Sequence, residues 1–106
     1  MEKDPNGKQA HEPGAKLDKG KNRLGLVLLD FGNALKAVGE VGTFGANKYS
    51  AHGWLSVPNG RERYTDAMFR HLFAGSEIDE DSGLAHDAQT AWNALARLEL
   101  RLRETQ

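Results

Sequence analysis

Cysteine is absent from this 106-residue chain. Disulfide staples and thiolate-bound metals are thereby excluded, and with them the small secreted scaffolds that depend on such links. Proline occurs three times and aromatic residues make up 8% of the sequence, so no large aromatic core can be built. Apolar residues amount to 39%, which is lean for a globular domain. Part of the chain is expected to lie outside the core, or a partner subunit completes it. Long hydrophobic runs are missing as well. The longest, Leu24 to Leu29, falls far short of the roughly 20 apolar residues that a spanning helix needs. The first 23 residues hold almost no apolar side chains, so no signal peptide is expected among them. Charge of one sign is not in excess: 14 basic and 15 acidic residues leave a net charge of −1. That balance argues against a protein that coats nucleic acid and binds polymer directly. The expectation is one soluble, cytoplasmic domain with a small core.

What is present is unevenly spread. Residues 1–23 carry six Lys/Arg against four acids, whereas residues 75–106 carry seven acids against three Arg. Glu77, Asp79, Glu80 and Asp81 fall within five positions. A basic arm opposite an acidic loop suits a site that grips phosphate from one side and a divalent cation from the other. Two solvated segments unrelated in space would give the same pattern.

Residues 1–13, with Pro, Gly, Asn and charges but no periodicity, read as a flexible tail. Residues 14–106 then form a single helical nucleotide-binding domain, opened by the Gly-spaced, lysine-rich arm Gly14 to Arg23. A first helix is predicted from Leu28 to Phe44, on the stripe Leu28, Phe31, Leu35, Val38 and Val41. The glycine- and aromatic-rich stretch Gly42 to Trp54 reads as a long connection. A second helix is predicted to open at Asn59, with Glu62 completing a capping box, and to bury Tyr64, Met68 and Leu72. A long third helix runs from Gly83 to Glu104, on Leu84, Ala88, Ala91, Leu95, Leu98 and Leu102 at alternating steps of four and three. The fold class is all-α: a small bundle of three to four helices with an extended N-terminal arm, completed by assembly into a homodimer or higher oligomer.

Three groups of residues could carry chemistry. On the last helix His86, Gln89 and Asn93 share a face offset from the leucines, directly after the acidic loop. A loop carboxylate such as Asp79 or Asp81 and the histidine could share one ion, and such a carboxylate-rich set suits Mg²⁺ or Mn²⁺ better than zinc. A stripe like this is as often simply solvated. On the second helix Asp66 and Arg70 are spaced as i, i+4 partners with His71 next to them. They read either as a surface ion pair or as a metal ligand and a phosphate clamp. On the first helix Glu40 is a reserve metal ligand. Lys48, Tyr49 and Trp54 could close over a base and phosphate, although Trp54 serves equally as core. His86-Asp87 spells the dyad of HD-type phosphohydrolases, but that site needs further His and Asp ligands on other helices, and HD domains are typically larger than this chain.

The strings GAKLDKGKNRLGLV, EVGTFGANKYSAHGW, RYTDAMFRHLFAG and DEDSGLAHDAQTAWNALARLEL together resemble a family of small phage and prophage proteins, the N-terminal domain of dATP/dGTP diphosphohydrolases. The likeness covers residues 14 to 100. It implies an all-helical fold and Mg²⁺- or Mn²⁺-dependent cleavage of a purine deoxynucleoside triphosphate to monophosphate and pyrophosphate, in the cytoplasm of a bacterial host. Carried over by position, Asp66, His71, Asp79 and His86 are the catalytic candidates. Asp66, Asp79 and His86 are the metal candidates, with Glu40 and Asp81, read from the residues alone, as reserves. Lys16, Lys21, Arg23, Lys48, Tyr49, Trp54, Arg70 and Asn93 are the nucleotide-binding candidates. Gln89 departs from the pattern, standing where a second histidine would be usual, and Gly53 and Asn22 depart where Asn and Pro are typical. The alternative of another class is a non-catalytic, oligomeric sponge for a nucleotide or cyclic dinucleotide that counters host defence signalling, needing phosphate grips and aromatics but no metal.

Overall fold

The computed structural model describes residues 1–104, and the chain divides into two compact units, Met1–Asp30 and Phe31–Gln106. In the first unit the segment expected as a free tail is tied back onto the arm. The Asp4 carboxylate, 7% exposed, accepts the Asn6 N–H at 2.6 Å and the Lys16 N–H at 2.7 Å. Those backbone donors, that of Lys16 foremost, hold its carboxyl below the usual range. The Lys19 N–H reaches the Lys3 carbonyl at 2.8 Å, and Lys21 pairs with Glu2 at 2.9 Å. Arg23 leads into the short helix α1, Leu24–Asp30, none of whose residues is buried.

The second unit is helical. The single helix predicted from Leu28 is instead two, because Phe31, at φ −114° and ψ 28°, leaves helical geometry between α1 and α2. Helix α2 then runs Gly32–Lys48, through most of the stretch expected to be loop. Its glycines cost helix propensity, but Gly42 has a packing reason. A Cβ there would stand 3.3 Å from Trp92 Nε1, so glycine lets α2 approach α4. A 3₁₀ turn, Gly53–Ser56, follows, then α3, Gly60–Leu72, and α4, His86–Glu104. Among the described residues there is no strand, and the fold is all-α.

Helix α3 begins where Asn59 and Pro58 place it, without the expected capping box. Asn59 sits in the left-handed region at φ 55° and makes no side-chain cap bond. Its geometry is that of a turn residue, a role in which Asn is tolerated. Helix α4 starts three residues later than predicted. Gly83, at φ +73°, closes a tight turn in which Ile78 and Ala85 form an antiparallel bridge, and the Gly83 N–H reaches the Asp79 carbonyl at 2.8 Å.

Helix α3 packs along α4, and α2 packs against α4 more narrowly. Ion pairing of Arg61 with Glu104 at 2.8 Å and approach of His71 to His86 show that α3 and α4 run antiparallel. Between the elements lies an aromatic triad in edge contact: Trp54–Tyr64 at 6.1 Å, Trp54–Trp92 at 5.7 Å and Tyr64–Trp92 at 5.5 Å between centroids. The Tyr64 hydroxyl donates to the Trp54 carbonyl at 2.7 Å, and burial pushes its phenol pKa up.

The orientation of α4 inverts the expectation. Its buried residues are Ala88, Asn93 and Ala96, on the side of Trp92 and Leu100. Ala91, Leu95, Leu98 and Leu102 are exposed instead, each of the leucines by half. The polar stripe turns inward and most of the leucine stripe turns outward. On α3, Tyr64 and Met68 are half-buried as expected, whereas Leu72 is exposed.

Candidate functional site

Three features meet at one end of the second unit: the end of α3, the turn of residues 77–85 and the start of α4. Helix α3 places His71 in its last turn and α4 begins on His86. Their Nδ1 atoms stand 2.8 Å apart. Two ring nitrogens at that separation share one proton, so one ring donates from Nδ1 and the other accepts. The donor ring must then carry its free lone pair on Nε2, the form a proton acceptor needs. Burial first, then the neighbouring His86, lowers the His71 pKa, and Asp79 partly offsets this. His71 is therefore neutral at neutral pH.

Asp79 is the acidic centre of the site. Its Oδ2 accepts from Gln89 Nε2 at 2.8 Å and from Ser82 Oγ at 3.1 Å, and its Oδ1 from the Asp81 N–H at 3.3 Å. The Gln89 amide, ahead of the Asp81 N–H and the Ser82 hydroxyl, holds the carboxyl below its usual range. Gln89 Nε2 also stands 2.9 Å from Ser82 Oγ, and Asn93 Nδ2 donates to the Gln89 carbonyl at 2.8 Å. The inward polar stripe of α4 is thus a brace that fixes the turn against the helix.

Lys48, the last residue of α2, reaches the same turn. Its Nζ lies 2.9 Å from Asp81 Oδ2 and 5.8 and 5.4 Å from the ring centres of Phe44 and Tyr49. The Asp81 carboxylate raises the Lys48 pKa. Both partners are exposed, so water screens the pair and it can open to an incoming ligand.

The remaining sequence candidates are placed elsewhere. Asp66 and Arg70 line an open groove of about 450 Å³ with Phe69 and Phe73 on another face of α3, and they form no ion pair with each other. Glu40 is exposed along α2. Trp54 is engaged in the aromatic triad. Asn93 is buried at 6% exposure. Lys16, Lys21 and Arg23 belong to the first unit. A second open groove, about 550 Å³, lies near the far end of α4 around Val57, Gly60, Leu100 and Glu104, away from the histidines. The residue that sequence reasoning undervalued is Gln89, read as a lost ligand and found to be the Asp79 brace. The small residues Ala88 and Ala96 on either side of it were the available signal that this face of α4 packs closely.

Among the described residues no three His, Asp or Glu side chains group as a self-contained metal cage. The carboxylates of Asp79 and Asp81, both in one turn, are oxygen donors of the kind Mg²⁺ takes, two at most rather than a full ligand set.

A small all-helical domain with a histidine–carboxylate site at one end of its helices is the class that this geometry defines. The chain belongs to the family described as dATP/dGTP diphosphohydrolase, N-terminal, whose model matches residues 11–106. No curated protein and no solved structure matches it. Among the described residues no helix is long and apolar enough to cross a membrane.

Proposed function

We propose that the chain acts on a purine deoxynucleoside triphosphate, cleaving it to monophosphate and pyrophosphate, and that His71 and His86 form the proton-handling centre of the site. The observation that carries this reading is the 2.8 Å contact between the two Nδ1 atoms, beside a braced carboxylate, in a member of this family. In the proposed step a water oxygen attacks the α-phosphorus and the bond to the bridging oxygen of the β-phosphate breaks. Pyrophosphate leaves, and the proton of the water passes to the free Nε2 of the donor ring. Depression of the His71 pKa keeps that ring neutral, and so able to accept a proton, at neutral pH. Asp79, held ionised by Gln89 and Ser82, stabilises the imidazolium that forms.

On entry of the substrate the Lys48 ammonium takes a phosphate oxygen, and the Asp81 carboxylate, released from it, would be available to a cation. Asp79 and Asp81 are the residues that would hold Mg²⁺ or Mn²⁺, with the phosphates supplying the other ligands. When bound, the ion neutralises charge on the phosphate chain. Tyr49, 79% exposed beside Lys48, is free to stack on the base. The cytoplasmic nucleotide pool is the proposed source of substrate.

Incubating the full chain with dATP, dGTP and the remaining nucleotides in Mg²⁺ or Mn²⁺, and separating the products by chromatography, tests this directly. Release of dAMP or dGMP with pyrophosphate, abolished by His86→Ala and by EDTA, is expected. Intact nucleotide co-eluting with the protein and insensitive to EDTA would replace hydrolysis with sequestration.

A further inference from the structure

The exposed stripe of α4 has the repeat of a helix–helix seam. Ala91, Leu95, Leu98 and Leu102 follow one another at steps of four, three and four, the spacing at which two helices interlock side chains. The inward side of α4 is already used by Ala88, Trp92, Asn93 and Ala96, so the seam belongs to a different side of the helix. Among the described residues Ala88 and Ala96 are the only buried apolar ones, and no large side chain is fully buried. A domain so short of buried apolar surface gains stability by covering such a seam.

The charges beside the seam identify what covers it. Asp87, Ala94 and Arg101 lie seven residues apart along one edge of the stripe, which puts all three at the same heptad position. Asp87 and Arg101 are exposed and take part in none of the four ion pairs among the described residues. They are two heptads, about 21 Å, apart along the helix. An antiparallel copy of α4 centred on Ala94 brings each Asp87 opposite the Arg101 of the other copy, twice over. The small side chain of Ala94 meets its own counterpart at the centre, where the edges approach. A parallel copy places the two Asp87–Ala94–Arg101 edges on opposite sides of the seam, where they do not pair.

We infer that the outward face of α4 is a homodimer interface, in which the α4 helices of two copies pack antiparallel through Ala91, Leu95 and Leu98 and are held in register by reciprocal Asp87–Arg101 pairs. The pairing is isologous, so it closes on itself as a two-fold dimer.

Charge reversal distinguishes this arrangement from any other cover. Sedimentation equilibrium of the full-length wild type is expected to show a dimer at micromolar concentration. D87R alone and R101D alone each place like charges opposite one another at both ends, and each is expected to weaken the dimer on the order of tenfold or more. An equimolar mixture of the two singles makes every facing pair complementary again, and its dimer is expected to return close to wild-type affinity. Circular dichroism of each single variant confirms that the helices are intact. A mixture that dimerises no better than the singles alone would overturn the antiparallel seam. So would a wild type that remains monomeric at high micromolar concentration, or singles that dimerise as tightly as the wild type.

Discussion

Gln89 holds more of the site together than its chemistry suggests. Its amide nitrogen serves both Asp79 Oδ2 and Ser82 Oγ, and its backbone carbonyl takes the Asn93 amide. Replacing it with Leu removes one of two donors from each of these half-buried oxygens, at a cost of about 1 kcal/mol, measurable by urea unfolding. Because the Asp79 carboxyl lies below its ordinary value in the folded chain, its contribution is complete above about pH 4 and is lost as pH falls through the folded value. Gln89→Leu should flatten that acid limb. His71 acts in the same direction at higher pH. Its folded-state pKa is lowered, so below the ordinary imidazole value of about 6.5 the unfolded chain takes up a proton that the folded chain refuses. The melting temperature should fall from pH 7 toward pH 5, and His71→Gln should remove part of that slope. A variant that keeps the wild-type slope would show that His71 titrates normally in the fold. That His71, Asp79 and His86 lie near one another was legible in the sequence, because the acidic loop joins the end of one predicted helix to the start of the next. Gln89 was not, since an amide that braces a carboxylate looks the same in sequence as an amide in water.

At the scale of elements, periodicity located α3 and α4 because a 3.6-residue repeat persists over many residues in each. It failed between Phe31 and Trp54. A stripe continuing through Leu28, Phe31 and Leu35 cannot report that Phe31 itself leaves helical geometry. Nor can glycine content report that Gly42 is required by Trp92. Two substitutions separate these meanings of glycine. Gly39 has open space around it, so Gly39→Ala should stabilise the fold by about 0.5–1 kcal/mol through helix propensity. Gly42→Val should destabilise it, because a branched side chain there meets the indole of Trp92 and forces α2 away from α4. Thermal denaturation of the pair checks this, and a stabilising Gly42→Val would remove Trp92 as the reason for glycine. The inward turn of the polar stripe on α4 has the same origin. Hydrophobic spacing fixes which residues share a face and leaves open whether that face meets the rest of its own chain or another.

For the whole molecule, the shortage of buried apolar side chains has a thermodynamic consequence. A fold completed by association gains stability as the protomer concentration rises. The melting temperature of the wild type should therefore climb with protein concentration over a hundredfold range, whereas Leu98→Glu, which puts a charge into the seam, should melt lower and independently of concentration. A concentration-independent wild type would mean that the chain is stable on its own small core. The all-helical class was readable from the sequence, because nothing in it alternates with a period of two and three segments repeat with the period of a helix. The tying of the first residues by Asp4 was not, since one carboxylate that accepts two backbone N–H groups leaves no periodic trace.

The central claim is that the nucleotide is handled at the His71–His86 pair. Imidazole-nitrogen NMR of the full chain, titrated with dATP or dGTP in the presence of Mg²⁺, observes those two rings directly and does not depend on turnover. The nitrogen signals of His71 and His86 are expected to shift together on addition of nucleotide while those of His11 and His52 stay in place. Saturable nucleotide binding that leaves both rings unmoved would contradict it.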